Sequence, residues 1–223
     1  MAWDSLEALE GAVVRCTRCP RLVAWRQQVA REKRAAYADW TYWGRPVPGF
    51  GDATARLLVV GLAPAAHGAN RTGRMFTGDR SGQWLYGSLH RAGFANQATS
   101  TDRGDGLRLR DCWVTAAVRC APPANRPTPA ERDNCAPYLA AEVALLPAEV
   151  VVALGAFAWD AVVRAFGPIR PKPAFTHGGE VRAGPVVLLA SYHVSQQNTF
   201  TGRLTAAMLD AVFARARALL SCS

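Results

Sequence analysis

Four cysteines have the residue type and spacing to hold a metal group. Cys16 and Cys19 form a C-x2-C pair, and Cys120 and Cys135 follow far downstream with 14 residues between them. Four thiolates can hold a structural zinc ion or a [4Fe–4S] cluster. The spacing between Cys120 and Cys135 is longer than that of a second zinc knuckle, and this makes a zinc site less favoured. Four unrelated buried cysteines are the alternative interpretation.

A long glycine-containing loop, Gly61–Asp79, leaves an apolar segment and enters a predicted helix. Backbone amides at such a position bind anions or planar ligands. The loop has no GxGxxG pattern and no Walker lysine, which argues against a nucleoside triphosphate or dinucleotide. Phe76 has the ring to stack on a base, and Arg71 and Arg74 have the charge to hold phosphates. Core packing for Phe76 and a helix N-cap for Asp79 are the alternatives.

Two further polar side chains follow predicted strands. His193 comes directly after an apolar run, where a sheet presents catalytic groups, although a lone histidine is more often structural. Ser191 and Ser195 beside it indicate a hydrolase triad only weakly, because no G-x-S-x-G elbow is present. Asn125 lies among prolines, and its amide suits the reading of a base edge. A plain turn is the alternative for Asn125.

These residues require a sheet that presents them together. The apolar runs predict four strands: 56–61, 113–118, 150–154 and 186–190. Predicted helices cover 22–34, 81–91, a segment that begins at Thr128, a segment that ends near Phe166, and 202–220. Apolar strands separated by helices predict a parallel sheet covered on both faces. Ligands of such sheets lie beyond the carboxyl ends of the strands, at loops 61–80, 119–127, 155 and 191–203.

Helix signals set some boundaries. Thr128-Pro-Ala-Glu131 has the order of a capping box with proline in the first turn. Pro137 is expected to kink or end that helix early. Ser81 or Asp79 is expected to cap the helix over residues 81–91.

Composition restricts the class of protein. The 223 residues are 50% hydrophobic and 19% charged, which predicts one domain over 1–223 with an N-terminal segment, 1–52. The net charge of +9 favours a polyanionic partner, either nucleic acid or an acidic membrane surface. No secretory signal is visible, and the longest apolar run, 150–159, is too short for a bilayer. We therefore expect a cytoplasmic protein with no membrane association and with reduced cysteines.

Five ordered motifs together resemble the family 5 uracil-DNA glycosylases (the UDGb type) of the uracil-DNA glycosylase superfamily. The motifs are the Cys16/Cys19 pair and residues 46–52, 61–79, 116–123 and 191–195, so the resemblance covers nearly the whole chain. It implies a three-layer α/β/α fold around a central four-stranded parallel sheet, with an N-terminal metal-cluster segment. It also implies a [4Fe–4S] cluster on Cys16, Cys19, Cys120 and Cys135.

The resemblance also implies roles for single residues. Many relatives carry a polar residue at the position of Ala63, so Asp79 is expected to serve as the catalytic carboxylate instead. Ala65 stands where relatives have glycine, and its methyl group could tighten the base pocket. The expected site residues are Asp79, His193 and Asn125 for catalysis, Gly61, Ala63, His67 and Phe76 for the base, and Asn70, Arg71, Arg74 and Arg203 for DNA.

The function implied is that of a DNA repair enzyme. It would flip uracil out of the duplex, with the loop after His193 as the wedge, and hydrolyse the N-glycosidic bond to leave an abasic site. Hypoxanthine and xanthine are further expected substrates, the partner is damaged DNA, and the chain is expected to be a monomer. The alternative function is a non-catalytic nucleic-acid-binding protein held together by zinc or by the cluster.

Overall fold

The computed structural model describes residues 3–221. The helices in this part of the chain are α1 (Leu6–Val14), α2 (Pro20–Glu32), α3 (Ala69–Thr72), α4 (Arg80–Arg91), α5 (Pro129–Leu145), α6 (Ala156–Ala165), α7 (Gln196–Phe200) and α8 (Ala206–Ser221). The strands are β1 (Phe50–Gly51), β2 (Leu57–Gly61), β3 (Cys112–Ala116), β4 (Val150–Leu154), β5 (Glu180–Ala183) and β6 (Val186–Ser191). Short 3-10 turns cover Ala35–Tyr37 and Pro123–Asn125.

The strands form one mixed sheet in the order β1-β3-β2-β4-β6-β5. The four central strands are parallel, as the apolar runs predict, with β2 paired to both β3 and β4. The predicted number of strands is wrong, because β1 and β5 add an antiparallel strand at each edge. Neither edge strand has a continuous apolar run. β1 is two residues long in a Pro- and Gly-rich loop, and β5 alternates exposed and half-buried side chains.

The core lies on both faces of the sheet because successive strand side chains point to opposite sides. Leu57 and Val59 of β2 pack into one apolar cluster with α4 and α8, and Leu58 and Val60 pack into a second with α5 and α6. The helices thus form layers on either side of the sheet. The carboxyl ends of the parallel strands are left for loops.

The helix ends follow local signals, with one exception. Asp79 is the N-cap of α4, and its carboxylate accepts a hydrogen bond from the Gly82 amide at 3.0 Å. The capping box of Thr128 and Glu131 is present at the start of α5. The prediction that Pro137 ends α5 early is wrong, because α5 continues to Leu145. Pro137 lies on the exposed face of the helix, where water can satisfy the carbonyl that the proline leaves unbonded.

The N-terminal segment packs on this framework through α1, whose Leu9 and Val13 form a cluster with Tyr138 of α5. Cys222 lies outside the described residues. No helix within residues 3–221 combines the length and the apolar character that a membrane crossing requires.

Candidate active site

The loop after β2 is folded tightly on itself. The Arg71 guanidinium donates from Nε to the His67 carbonyl at 2.8 Å and from Nη2 to the Gly78 carbonyl at 2.9 Å. The Asn70 amide donates to the carbonyl of Ala66 at 3.3 Å and to that of Arg26 in α2 at 3.2 Å. These contacts fix the backbone of the loop and tie it to the N-terminal segment.

Asp79 ends this loop and begins α4. Its carboxylate lies against the α-carbon of Gly68, where any side chain would overlap it. Burial raises the pKa of the Asp79 carboxyl, while the amides of Gly82 and Ser81 and the Arg71 guanidinium lower it. Asp79 therefore caps a helix, as the alternative interpretation held. It is also a carboxylate in a desolvated setting, which is a common property of catalytic groups.

Phe76 stands near Asp79 in the same loop, with its backbone at φ 51°. Its ring packs against the α-carbon of Gly61, and a Cβ at Gly61 would overlap the ring. The Phe76 ring is half-buried and also touches the core cluster that contains α4 and α8. The ring centroids of Phe76 and His193 are 6.4 Å apart at an interplanar angle of 40°. The structure therefore brings Gly61, Phe76 and His193 together at the carboxyl edge of the sheet.

His193 follows β6 and packs over the turn that follows β4. A Cβ at Gly155, which adopts φ 92°, would lie 3.1 Å from the Cβ of His193. The Asn198 amide donates to the His193 carbonyl at 2.8 Å. Burial lowers the pKa of the His193 imidazole to about 4. The ring is therefore neutral at neutral pH and can donate one hydrogen bond and accept another.

The remaining predicted base-binding residues lie along the same loop. The Nδ1 atom of His67 is 3.0 Å from the Tyr42 hydroxyl, a contact that ties the loop to the aromatic segment before β1. Ala63 packs against the cluster that contains Cys19, Cys120 and Cys135. The loop therefore rests on the cysteines on one side and bears Phe76 and Asp79 on the other.

Asn125 lies on a different loop, in the 3-10 turn that follows β3. It is exposed, and both Asn125 and Ala124 adopt left-handed backbone, with φ of 55° and 51°. Within residues 3–221, the contacts that join Gly61, Phe76 and His193 do not include Asn125. Its assignment to the base stays a prediction.

Three of the predicted DNA contacts require correction. Asn70, Arg71 and Arg74 are buried, with exposed fractions of 0%, 3% and 4%, which leaves almost no surface for a phosphate. Arg74 forms an ion pair with Asp105 at 2.7 Å. These side chains hold the loop together through hydrogen bonds and an ion pair within the protein. Arg203, in contrast, is exposed, and its guanidinium lies 4.7 Å from the Tyr192 ring centre.

Two further exposed side chains are neighbours of this edge. Phe200, at the end of α7, is 64% exposed. The Arg80 guanidinium lies 4.2 Å from the Phe200 ring centre. An aromatic ring and two arginines, Arg80 and Arg203, thus stand at the surface beside the loop that carries His193.

The four predicted metal-ligating cysteines lie close to one another. Cys19, Cys120 and Cys135 share one buried cluster, and Cys16 packs in the neighbouring one with Tyr138. Burial raises the pKa of the Cys120 thiol to about 12 and that of Cys135 to about 11, and nearby cysteines add to each shift. Between residues 3 and 221, no three Cys, His, Asp or Glu side chains form a group that could hold a single metal ion.

A cation faces these thiols. Arg26 of α2 is 4% exposed and donates from Nη1 to the Cys120 sulfur at 3.2 Å. The Asn134 amide is 3.5 Å from the Cys19 sulfur. No disulfide links the cysteines of the described chain. A buried guanidinium beside thiols favours their negatively charged, ligand-forming state.

Comparison with known proteins gives consistent results. A sequence model described as the uracil DNA glycosylase superfamily matches residues 48–217. A type-5 uracil-DNA glycosylase of Mycobacterium tuberculosis is 56% identical over 219 residues, covering 96% of this chain and 82% of the relative. That of Thermus thermophilus is 52% identical over 215 residues, covering 96% and 97%. A type-4 uracil-DNA glycosylase of Pyrobaculum aerophilum is 31% identical over 157 residues, covering 68% and 72%.

Proposed function

The chain belongs to the uracil DNA glycosylase superfamily, and from this membership we propose that it excises uracil from DNA as a repair enzyme. The reaction is hydrolysis of the N-glycosidic bond, which leaves an abasic site. The arrangement of Asp79, Phe76 and His193 carries the assignment of roles. A carboxylate, an aromatic ring and a neutral imidazole are presented by two loops at one edge of the sheet.

DNA must deliver the base to this edge. A glycosylase cannot reach its bond inside the stack, so it extrudes the nucleotide at a cost of a few kcal/mol, as is general for such enzymes. The net charge of +9 supports sequence-independent attraction to the phosphate backbone. Exposed Phe200 has the shape to fill the gap left in the stack, and Arg80 and Arg203 are placed to contact the flanking phosphates.

The reacting bond joins the sugar to the base. As it breaks, positive charge develops on the sugar and negative charge on the uracil oxygens. Ionised Asp79 stabilises the sugar cation and orients the attacking water. His193, neutral at neutral pH, donates a hydrogen bond to the oxygen that gains charge. Phe76 stacks on the base and Asn125 contacts its edge.

The four cysteines are the proposed ligands of a [4Fe–4S] cluster. The donor set fits this group, because Cys19, Cys120 and Cys135 share one buried cluster beside the buried Arg26, and the half-buried Cys16 packs in the neighbouring cluster. When bound, the [4Fe–4S] cluster would cross-link the N-terminal segment, through Cys16 and Cys19, to the loop that follows β3 and to α5, through Cys120 and Cys135. The proposed role of Cys16, Cys19, Cys120 and Cys135 is then to position the polypeptide.

Strand cleavage tests the proposed activity. Protein purified without oxygen is incubated with a duplex that carries one uracil, and alkali then cleaves any abasic site. Matched duplexes carry hypoxanthine or thymine. Cleavage at uracil that is lost in Asp79→Asn and His193→Ala supports the assignment, whereas no cleavage by protein that binds the duplex contradicts it.

Metal analysis separates the alternative function. A colourless protein with stoichiometric zinc and no base release would favour a non-catalytic nucleic-acid-binding protein. Iron and sulfide together with base release favour the glycosylase. Action on hypoxanthine or xanthine, a monomeric state, a single domain and a cytoplasmic location stay predictions.

A further inference from the structure

Arg71 is a buried cation without a carboxylate partner. It is 3% exposed, and no ion pair of the described chain includes it. Its Nη1 atom is buried and has no hydrogen-bond partner among the described residues. A buried charge of this kind is costly unless the protein gains something from it. The contacts of the Arg71 guanidinium indicate what the protein gains from this buried charge.

Two carbonyls and two aromatic rings hold the guanidinium. Arg71 bonds the carbonyls of His67 and Gly78, at opposite ends of the loop, at 2.8 and 2.9 Å. The guanidinium carbon lies 3.9 Å from the ring centre of Tyr37 and 4.0 Å from that of Trp40. Both rings belong to the N-terminal segment. Cation–π contacts of this type attract the guanidinium to the faces of the rings.

One of the two carbonyls immediately precedes Asp79. Gly78 adopts φ 78°, and a Cβ there would overlap the Arg71 Nη2 atom, so guanidinium and backbone are in close contact. Arg71 is also the charged side chain that acts on Asp79. Burial raises the pKa of the Asp79 carboxyl, and Arg71 lowers it together with the amides of Ser81 and Gly82.

We propose that Arg71 is a positioning residue for base excision, which clamps His67 to Gly78 and thereby fixes the Asp79 carboxylate in its reactive position. The charge of Arg71 acts on the same carboxylate. This inference rests on the proposed function. Tyr37 and Trp40 hold the clamp from outside, so the N-terminal segment takes part in shaping the site.

Two substitutions separate the geometric from the electrostatic contribution. Arg71→Lys keeps the charge but cannot bond two separated carbonyls in the plane of a guanidinium. We expect its single-turnover rate to fall about 10- to 100-fold, with the acid limb of the pH–rate profile unmoved. Arg71→Gln removes the charge, so we expect the pKa of Asp79 to rise and the acid limb to move to higher pH. Arg164→Gln, which removes an exposed arginine at the far end of α6, is the matched control and should leave rate and profile unchanged.

A carboxyl titration makes the test independent of activity. The Asp79 signal is identified in 13C-labelled protein by its absence in Asp79→Asn, and its pKa is compared between wild type and Arg71→Gln. A higher pKa in the variant supports the inference, and an unchanged pKa overturns it. If Arg71→Gln does not fold, Arg71→Lys decides: a wild-type rate in folded protein overturns the clamp. Absence of uracil release by the wild type would instead contradict the proposed function.

Discussion

Gly68 lies directly against the carboxylate of Asp79. A Cβ at Gly68 would stand 2.8 Å from the Asp79 Cγ atom and would overlap Oδ2. Gly68 stands early in the loop and Asp79 at its end, so this contact closes the loop on itself. The Asp79 carboxylate, the proposed catalytic group, thus fits this position because residue 68 has no side chain, as well as through its own hydrogen bonds.

Gly68→Ala tests that confinement. The added methyl group must displace the Asp79 carboxylate, so we expect the single-turnover rate of uracil release to fall about 100-fold. Gly87→Ala is the control. An added Cβ there has ordinary contact with Arg91 at 3.4 Å, and alanine favours a helix interior by about 0.5–1 kcal/mol. Equal rates in the two variants would contradict the finding.

Asp79→Asn separates catalysis from capping. Asparagine is as good an N-cap as aspartate, so α4 should remain intact. Loss of the charge should lower the single-turnover rate by about 10²- to 10⁴-fold. Affinity for the uracil duplex, measured by fluorescence anisotropy, should stay close to that of the wild type. An unchanged rate would remove Asp79 from the mechanism.

The pKa of His193 predicts a loss of stability in acid. Its folded-state pKa of about 4 lies below the ordinary value of 6.5, so protons bind more readily to the unfolded chain. The stability that this group contributes is present above pH 6.5 and is lost as the pH falls toward 4. Urea unfolding at successive pH values should show a smaller decline over this interval in His193→Gln than in the wild type. Parallel declines would contradict a neutral His193 in the folded protein.

Substitution of two buried cysteines, Cys120 and Cys112, tells a cluster ligand from a cysteine that only packs in the core. Cys120→Ala should lose bound iron, sulfide and visible absorbance, and should unfold at lower urea. Cys112→Ala changes an equally buried thiol in β3, so its iron content should equal that of the wild type. Iron content that is the same in both variants would contradict the proposed ligand set.

A buried ion pair under the sheet edge predicts a large change in stability. Arg119 and Glu142 are 1% and 2% exposed, and Glu142 also accepts hydrogen bonds from Trp113 and Thr115. Glu142→Ala leaves Arg119 buried without a counter-charge, which should lower the free energy of unfolding by about 3–5 kcal/mol. Glu10→Ala, from an exposed and long pair, should lower it by no more than about 1 kcal/mol. Urea denaturation measures both.

The sequence by itself determined the elements that depend on local pattern. Continuous apolar runs identify the four parallel strands because both of their faces are buried. The capping box at Thr128 is predictable from the sequence because its hydrogen bonds join residues only three positions apart. The ordered motifs identify the family, and the superfamily match over residues 48–217 confirms it. Residue types also identify the candidate ligands and the carboxylate, since thiols and carboxylates suit few roles.

Tertiary structure decided what lies on the surface and what lies against what. Arg71 and Arg74 have the same charge as any DNA-binding arginine. Contacts within their own loop and partners distant in sequence together bury them, and the distant partners are Tyr37 and Trp40 for Arg71 and Asp105 for Arg74. The edge strands β1 and β5 form because a neighbouring strand offers them hydrogen-bond partners. The residue pattern of a short or alternating segment does not predict this pairing. Long-range contacts of this kind depend on the folded path of the chain. For that reason the clamp at Arg71 and the contact of Gly68 with Asp79 could be found only in the structure.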